Sequence, residues 1–242
     1  METDQAIITT QDLVFSWQRQ QSPVVDIDAF SIQAGERVFI KGPSGSGKST
    51  LLSLLGGVLV PQRGHVSVLG KELGSLSGAQ RDVFRADHIG FIFQMFNLIP
   101  YLSVLDNVYL PLQFSRQRRD KVLARGGIQE EAIRLLAHLD LDSEDVLSRP
   151  VTELSVGQQQ RVAAARALIG SPEILIADEP TSSLDADRRE AFIALLIREC
   201  AQAQITLVFV SHDAGLEAYF DRSIALDDIN RAALTTRREE MA

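Results

Sequence analysis

The sequence has almost no cysteine. Cys200 is the only one, so no disulfide can close within the chain. A lone thiol in the apolar helical stretch 191–203 reads as helix filler in a reducing, cytosolic setting. Long hydrophobic runs are missing as well. The longest strongly apolar stretch, residues 51–60, is far short of the roughly 18 to 20 residues that span a bilayer. The first residues, Met1-Glu2-Thr3-Asp4-Gln5, are acidic and lead into no apolar segment, so no secretory signal is expected. Any link to a membrane must then come through another protein. Basic charge is in deficit: the formal net charge of −8 argues against a nucleic-acid partner, which needs basic surface. Histidines are few, and His65, His88 and His138 share no metal-ligand spacing. Arg116, Arg118 and Arg119 form a short basic run that reads as a solvated loop. No repeat, low-complexity segment or Ser/His/Asp-type nucleophile set is evident.

What remains is ordinary globular composition, 45% apolar and 23% charged, in a chain of 242 residues. That is enough for one compact domain with a large core. Into it is set a stretch that is not ordinary. Gly42-Pro43-Ser44-Gly45-Ser46-Gly47-Lys48-Ser49 follows the apolar run Val38-Phe39-Ile40 and precedes the helical pattern Thr50-Leu51-Leu52-Ser53-Leu54-Leu55. A strand that enters a Gly-rich loop and then a helix is the phosphate-cradle pattern. Glycines at 42, 45 and 47 let backbone N–H groups approach a triphosphate and tolerate positive φ. Lys48 supplies a point charge for the β/γ-phosphates, and the Ser49 hydroxyl suits Mg²⁺. The helix beginning near Lys48 turns its positive end toward the same anion. A nucleoside triphosphate is the expected ligand.

Short β-rich runs alternate with helical patterns along the chain. Strands are predicted at 7–14, 24–32, 37–40, 66–69, 89–93, 174–177, 205–210 and 223–226. Helices are predicted at 48–58, 78–86, 120–140, 157–169, 186–204 and 214–219, with Gly126-Gly127 interrupting the third. This predicts an α/β fold, a mainly parallel sheet with flanking helices, and an antiparallel β layer formed by the early strands. Residues 94–160 lack clear strands and are expected to form a helical subdomain inserted into a core of about 1–93 and 161–230. Residues 231–242 carry mixed charge and read as a partly mobile tail.

A second chemical element closes the run Ile174-Leu175-Ile176-Ala177 with the carboxylates Asp178 and Glu179. The first suits the shell of Mg²⁺, and the second suits the orientation and deprotonation of a water. With Leu154-Ser155-Val156-Gly157-Gln158 before a helix, the chain resembles the ATP-binding-cassette ATPases over nearly its whole length. The resemblance implies a P-loop ATPase fold and two nucleotides held between subunits of a head-to-tail dimer. It implies that Ser155, Gly157 and Gln158 face the γ-phosphate held by the opposite subunit, a role consistent with a capped helix N-terminus. It assigns Gln94 to sensing Mg²⁺ and the attacking water, and Asp185, in Ser182-Ser183-Leu184-Asp185, to communication across the dimer. His212 is assigned to γ-phosphate contact, and Trp17, ahead of Phe15, to stacking on adenine.

Two departures stand out. Val156 occupies a position that is usually glycine in the family, and a β-branched residue restricts φ and ψ there. Asp227-Asp228-Ile229-Asn230 replaces a glycine-containing hairpin, which leaves the C-terminal fold in question.

The segment from Gln94 through Leu112, rich in apolar and aromatic residues, suits docking of a helix from an integral membrane permease subunit. With Arg85 and His88-Ile89-Gly90-Phe91 it is similar to the LolD/MacB group of lipoprotein-release and export ATPases, with FtsE-like division proteins as neighbours. The resemblance implies ATP and Mg²⁺ as cofactors, two copies of the chain as a dimer, and a peripheral place on the cytoplasmic face of the inner membrane. A solute-importer subunit is the alternative, and a soluble non-transport ATPase a distant one.

Overall fold

The computed structural model describes residues 6–17, 22–141, 143–182 and 184–232. The acidic start, Ser183 and the last ten residues of the tail, 233–242, lie outside them. In chain order the elements are β1 (Ala6–Phe15), β2 (Val25–Gln33), β3 (Arg37–Lys41), α1 (Lys48–Leu55), β4 (Arg63–Val68), β5 (Lys71–Glu72), α2 (Gly78–His88) and β6 (Ile89–Ile92). There follow α3 (Val104–Tyr109), α4 (Pro111–Phe114), α5 (Arg116–Leu123), α6 (Ile128–His138), α7 (Glu144–Leu147) and α8 (Val156–Leu168). The chain ends through β7 (Ile174–Asp178), α9 (Ala186–Gln202), β8 (Thr206–Ser211), β9 (Arg222–Ala225) and α10 (Leu226–Ile229).

Two compact units divide the chain, residues 1–82 with 208–242, and residues 83–207. In the first, an antiparallel sheet runs in the order β2-β1-β4-β5. Its register pairs Thr10 with Phe30 and Leu13 with Ile27, and Leu13, Ile27 and Ile32 are all buried. The same unit holds β3 between β8 and β9, with β3 and β9 parallel and Phe39 opposite Ser223. Phe39 stacks on Phe209 at 6.1 Å, and Val38, Phe39 and Ile40 are all buried. Continuous apolar runs of this kind belong to parallel strands covered on both faces.

In the second unit β6 and β7 are parallel, with Ile92 opposite Ala177. Residues 94–160 form α3 to α7 and the start of α8, and contain no strand among the described residues. The helices α3 and α6 pack on α8, whose Val162, Ala163, Ala164 and Ala165 are buried. Small alanines let the neighbouring helices approach closely. Gly126-Gly127 separates α5 from α6, as the doublet predicts.

The basic run is a correction. Arg116, Arg118 and Arg119 lie on the helix α5, not in a loop, and Arg118 points inward and is buried. Its guanidinium donates to Ile169 O and to Ala167 O, each at 2.8 Å, and so caps the last turn of α8. Burial pulls its pKa down to about 10, with Glu173 and Asp87 opposing the drop. Gly170, at φ +75°, fits beneath it, since an added Cβ would stand 2.6 Å from Arg118 Cβ.

Candidate functional site

In the first unit, β3 delivers the phosphate loop and α1 leaves it. Gly45 and Gly47 hold φ values of +80° and +98°, so the predicted need for glycine is met at both. Gly42 serves differently: an added Cβ would lie 2.7 Å from Ser46 Oγ. Gly47 is the N-cap of α1 and offers no side-chain partner to the first turn. The orphan N–H groups of that turn are therefore available to an anion. Pro43, Ser44, Gly45 and Ser49 are exposed, whereas Lys48 and Thr50 are buried. Lys48 Nζ donates to Gly42 O and Pro43 O, both at 2.8 Å, which folds its charge into the loop's own concavity.

His212 lies in the same unit, just after β8. A cavity of about 320 Å³ is lined by Gly42, Pro43, His212 and Asp227 among others, so the loop and the histidine share one space. Asp213 accepts from Gly215 N at 3.0 Å and caps the short turn that follows. Trp17 is 61% exposed, while Phe15 is buried. The two rings meet edge to face at 5.3 Å and 89°.

In the second unit, Asp178 ends β7 and Glu179 follows at φ 44°. A glutamate in the left-handed region costs about 1–3 kcal/mol. Ile92 and Ala177 are directly paired, so Gln94 and Glu179 each emerge two residues past a shared rung at the ends of neighbouring parallel strands. Gln94 is exposed.

The helix α8 organises the rest. Ser155 is its N-cap and completes a capping box: Gln158 N donates to Ser155 Oγ at 3.3 Å, and Ser155 N donates to Gln158 Oε1 at 2.9 Å. Val156 is the first helical residue, 48% exposed and outside the set of positive-φ residues. Its β-branched side chain meets no conflict there. Gly157 has room around it; an added Cβ would reach only Leu184 Cδ2, at 3.9 Å. Asp185 caps α9 by accepting from Arg188 N at 3.0 Å.

Two polar residues of α8 escaped the sequence reading. Gln160, almost fully buried, donates through Nε2 to Pro180 O at 2.8 Å, which ties α8 to the turn after Glu179. Arg166 donates to Asn97 O at 2.6 Å and Phe96 O at 2.5 Å. It supports a turn in which Phe96 and Asn97 take φ values of 58° and 49°, just after Gln94. Burial lowers the pKa of Arg166. One rigid helix thus carries the Ser155–Gly157 end and also grips the turns beside Gln94 and Glu179.

The ABC transporter family profile matches residues 25–182. The chain belongs to the ABC transporter family. It is 43% identical over 197 residues to the lipoprotein-releasing system ATP-binding protein LolD of Syntrophotalea carbinolica, covering 81% of this chain and 83% of that protein. It is 38% identical to the macrolide export ATP-binding/permease protein MacB of Rhodopirellula baltica, over 91% of this chain but 32% of that protein. Among solved structures, an ATP-binding cassette determined as a dimer in a post-hydrolysis state with ADP and Pi aligns with a TM-score of 0.78. The identity there is 34%, over 90% of this chain and 93% of that one. This ABC chain is accordingly an ATP-binding and ATP-hydrolysing subunit of a transporter complex. Among the described residues, no helix is long and apolar enough to cross a membrane.

Proposed function

We propose that two copies of this chain close head to tail on two ATP molecules and drive a membrane partner of the lipoprotein-release or export kind. The observation that carries the partner reading is the apolar rim after Gln94. Met95 and Tyr101, six residues apart, are each 82% exposed, and exposed apolar groups gathered into one patch mark an interaction site. A helix from a permease covers such a rim, and movement there reaches Gln94 directly. The likeness to LolD over most of both chains supports the lipoprotein-release type. A peripheral position on the cytoplasmic face of the inner membrane follows from that partner.

Within each site, the N–H groups of residues 44–49 and Lys48 hold the β/γ-phosphates, and Trp17 offers its open face to adenine. Ser155, Gly157 and Gln158 of the opposite copy meet the γ-phosphate, and Asp185 lies at the start of α9 for contact across the dimer. Glu179 orients and deprotonates the attacking water, with Gln94 and His212 positioning it. The left-handed backbone at Glu179 is consistent with a carboxylate held for chemistry, because such strain persists where the surroundings over-determine it.

Among the described residues no group of three His, Cys, Asp or Glu side chains could cage a metal. The donors that fit a cation are the Ser49 hydroxyl and the Asp178 carboxylate, hard oxygen ligands of the kind Mg²⁺ shares with substrate phosphates and water. When bound, Mg²⁺ would neutralise charge on the transferring phosphoryl group.

The test is a pull-down of tagged Glu179→Gln from detergent-solubilised membranes with ATP, read by mass spectrometry. Removing the base should slow turnover by about 10² to 10⁴-fold and trap the closed complex. A stoichiometric partner with few transmembrane helices and a large extracytoplasmic domain is expected. A many-helix permease would point instead to an importer, and near-normal turnover would remove Glu179 from its role.

A further inference from the structure

The sequence leaves Asn230 in a stretch with no assigned purpose, yet it is 1% exposed and fully engaged. Its Nδ2 donates to Val24 O at 2.9 Å and to Ser46 O at 3.3 Å. Its Oδ1 accepts from Asp26 N at 2.8 Å and from Ala232 N at 3.3 Å. The backbone N–H of Asn230 is itself fixed to Leu226 O at 2.8 Å by the single turn of α10. One amide therefore joins the entry to β2, the end of the described chain and the middle of the phosphate loop.

We propose that Asn230 is a positioning residue for the bound nucleotide, acting through the Ser46–Gly47 peptide. In a trans peptide the C=O and the following N–H point in opposite directions. Anchoring the Ser46 carbonyl to Asn230 therefore aims the Gly47 N–H away from Asn230. That direction is the open side of the loop, because the other side of Gly47 is already filled. An added Cβ at Gly47 would stand 2.9 Å from Val24 O and 3.7 Å from Asn230 Nδ2. Val24 and Asn230 thus form a rear wall against which a flexible Gly/Ser loop is held with its amides presented to phosphate. The loop needs such an outside hold because Gly45 and Gly47 leave its backbone with little preference of its own. This inference rests on the phosphate loop binding the nucleotide, and it adds that the C-terminal segment sets that loop's affinity.

The test uses the full chain with Asn230→Ala, and with Asn230→Asp, which keeps the acceptor and replaces the donor by an oxygen facing two carbonyls. Leu13→Ala, in the buried face of β1, serves as a control for lost stability. The KM for ATP should rise about tenfold or more in both Asn230 variants, with kcat at saturation little changed and Asn230→Asp the worse of the two. Leu13→Ala should lower the melting temperature and leave KM in place. An unchanged KM in Asn230→Ala overturns the proposal. A check free of any variant comes from hydrogen exchange of the native protein with ADP. The Gly47, Asp26 and Ala232 amides should slow together, and protection of the loop without any change at Asp26 and Ala232 also overturns it. A native protein that binds ADP with no protection at residues 42–49 would refute the phosphate-loop assignment instead, which separates the two failures.

Discussion

Replacing Gly157 with alanine should move stability and turnover in opposite directions. Gly157 is the second residue of α8 and does not take a positive φ, so its backbone has no need of glycine. An added Cβ would make one contact, 3.9 Å from Leu184 Cδ2, which is ordinary van der Waals distance. Alanine at a compatible position stabilises by about 0.4–1 kcal/mol, mainly by narrowing the unfolded ensemble. For a chain of this length that corresponds to a rise of about 1–4 °C in melting temperature. The glycine thus serves nothing within its own chain, and its cost makes sense only if something from outside comes close. On the proposed reading that visitor is the γ-phosphate bound to the other copy. A methyl group there displaces a hydrogen bond to a charged oxygen, worth about 1.5–3 kcal/mol, so ATPase turnover should fall by about 10- to 150-fold. Thermal melts of the nucleotide-free protein and phosphate-release assays read the two effects separately. A destabilised variant, or one with unchanged turnover, would refute the reasoning.

Three further outcomes follow from neighbouring residues. Arg166→Met keeps the apolar stem but removes both donors from the turn at Phe96 and Asn97; steady-state kinetics should show kcat down about tenfold or more with KM for ATP little changed, because Gln94 precedes that turn. Glu173 is held near pH 2: burial would raise its pKa, but hydrogen bonds from His88 and Lys121 outweigh it and bring it to about 2. A depressed carboxylate stabilises the fold above its unfolded pKa of about 4.5 and loses that contribution as pH falls toward 2. With Glu173 and Lys121 each about one-third exposed, solvent screening leaves about 1–2 kcal/mol. Urea melts of Glu173→Gln should therefore fall below the native protein by that amount at pH 7, with the gap closing between pH 4.5 and 2. Val156→Gly should lower stability slightly, by about 0.3–0.5 kcal/mol, the gap in helix propensity between the two residues, and leave turnover equal or higher. A collapse of turnover would make the valine a specific adaptation.

The elements that were legible in the sequence are those whose signal is local. The glycines of the phosphate loop, the apolar parallel strands and the Ser155-to-Gln158 capping pattern each declare themselves within a few residues, because turn geometry, burial on both faces and helix capping act over that range. What stayed hidden depends on partners far along the chain. Arg118 read as one of three solvated arginines; it lies between the exposed Arg116 and Arg119, and only its helical phase turns it toward carbonyls 49 and 51 residues away. Arg166 reaches carbonyls 69 and 70 residues distant, and Asn230 reaches one 206 residues distant.

These hidden residues share a chemistry: each is a side-chain donor placed against backbone carbonyls that no helix or sheet satisfies. A buried carbonyl left unpaired costs about 1–3 kcal/mol, so irregular turns of the kind that surround Ser46, Phe96 and Pro180 need a donor from elsewhere. On the proposed reading, the phosphate loop and the turns after Gln94 and Glu179 are irregular because a ligand approaches their backbone. On that reading the supporting donors Asn230, Arg166 and Gln160 follow from function while leaving no local mark in the sequence. In an ABC chain read from sequence alone, the motif residues identify the chemistry, and the residues that hold those motifs in shape emerge only when the carbonyls of the loops are each traced to a donor.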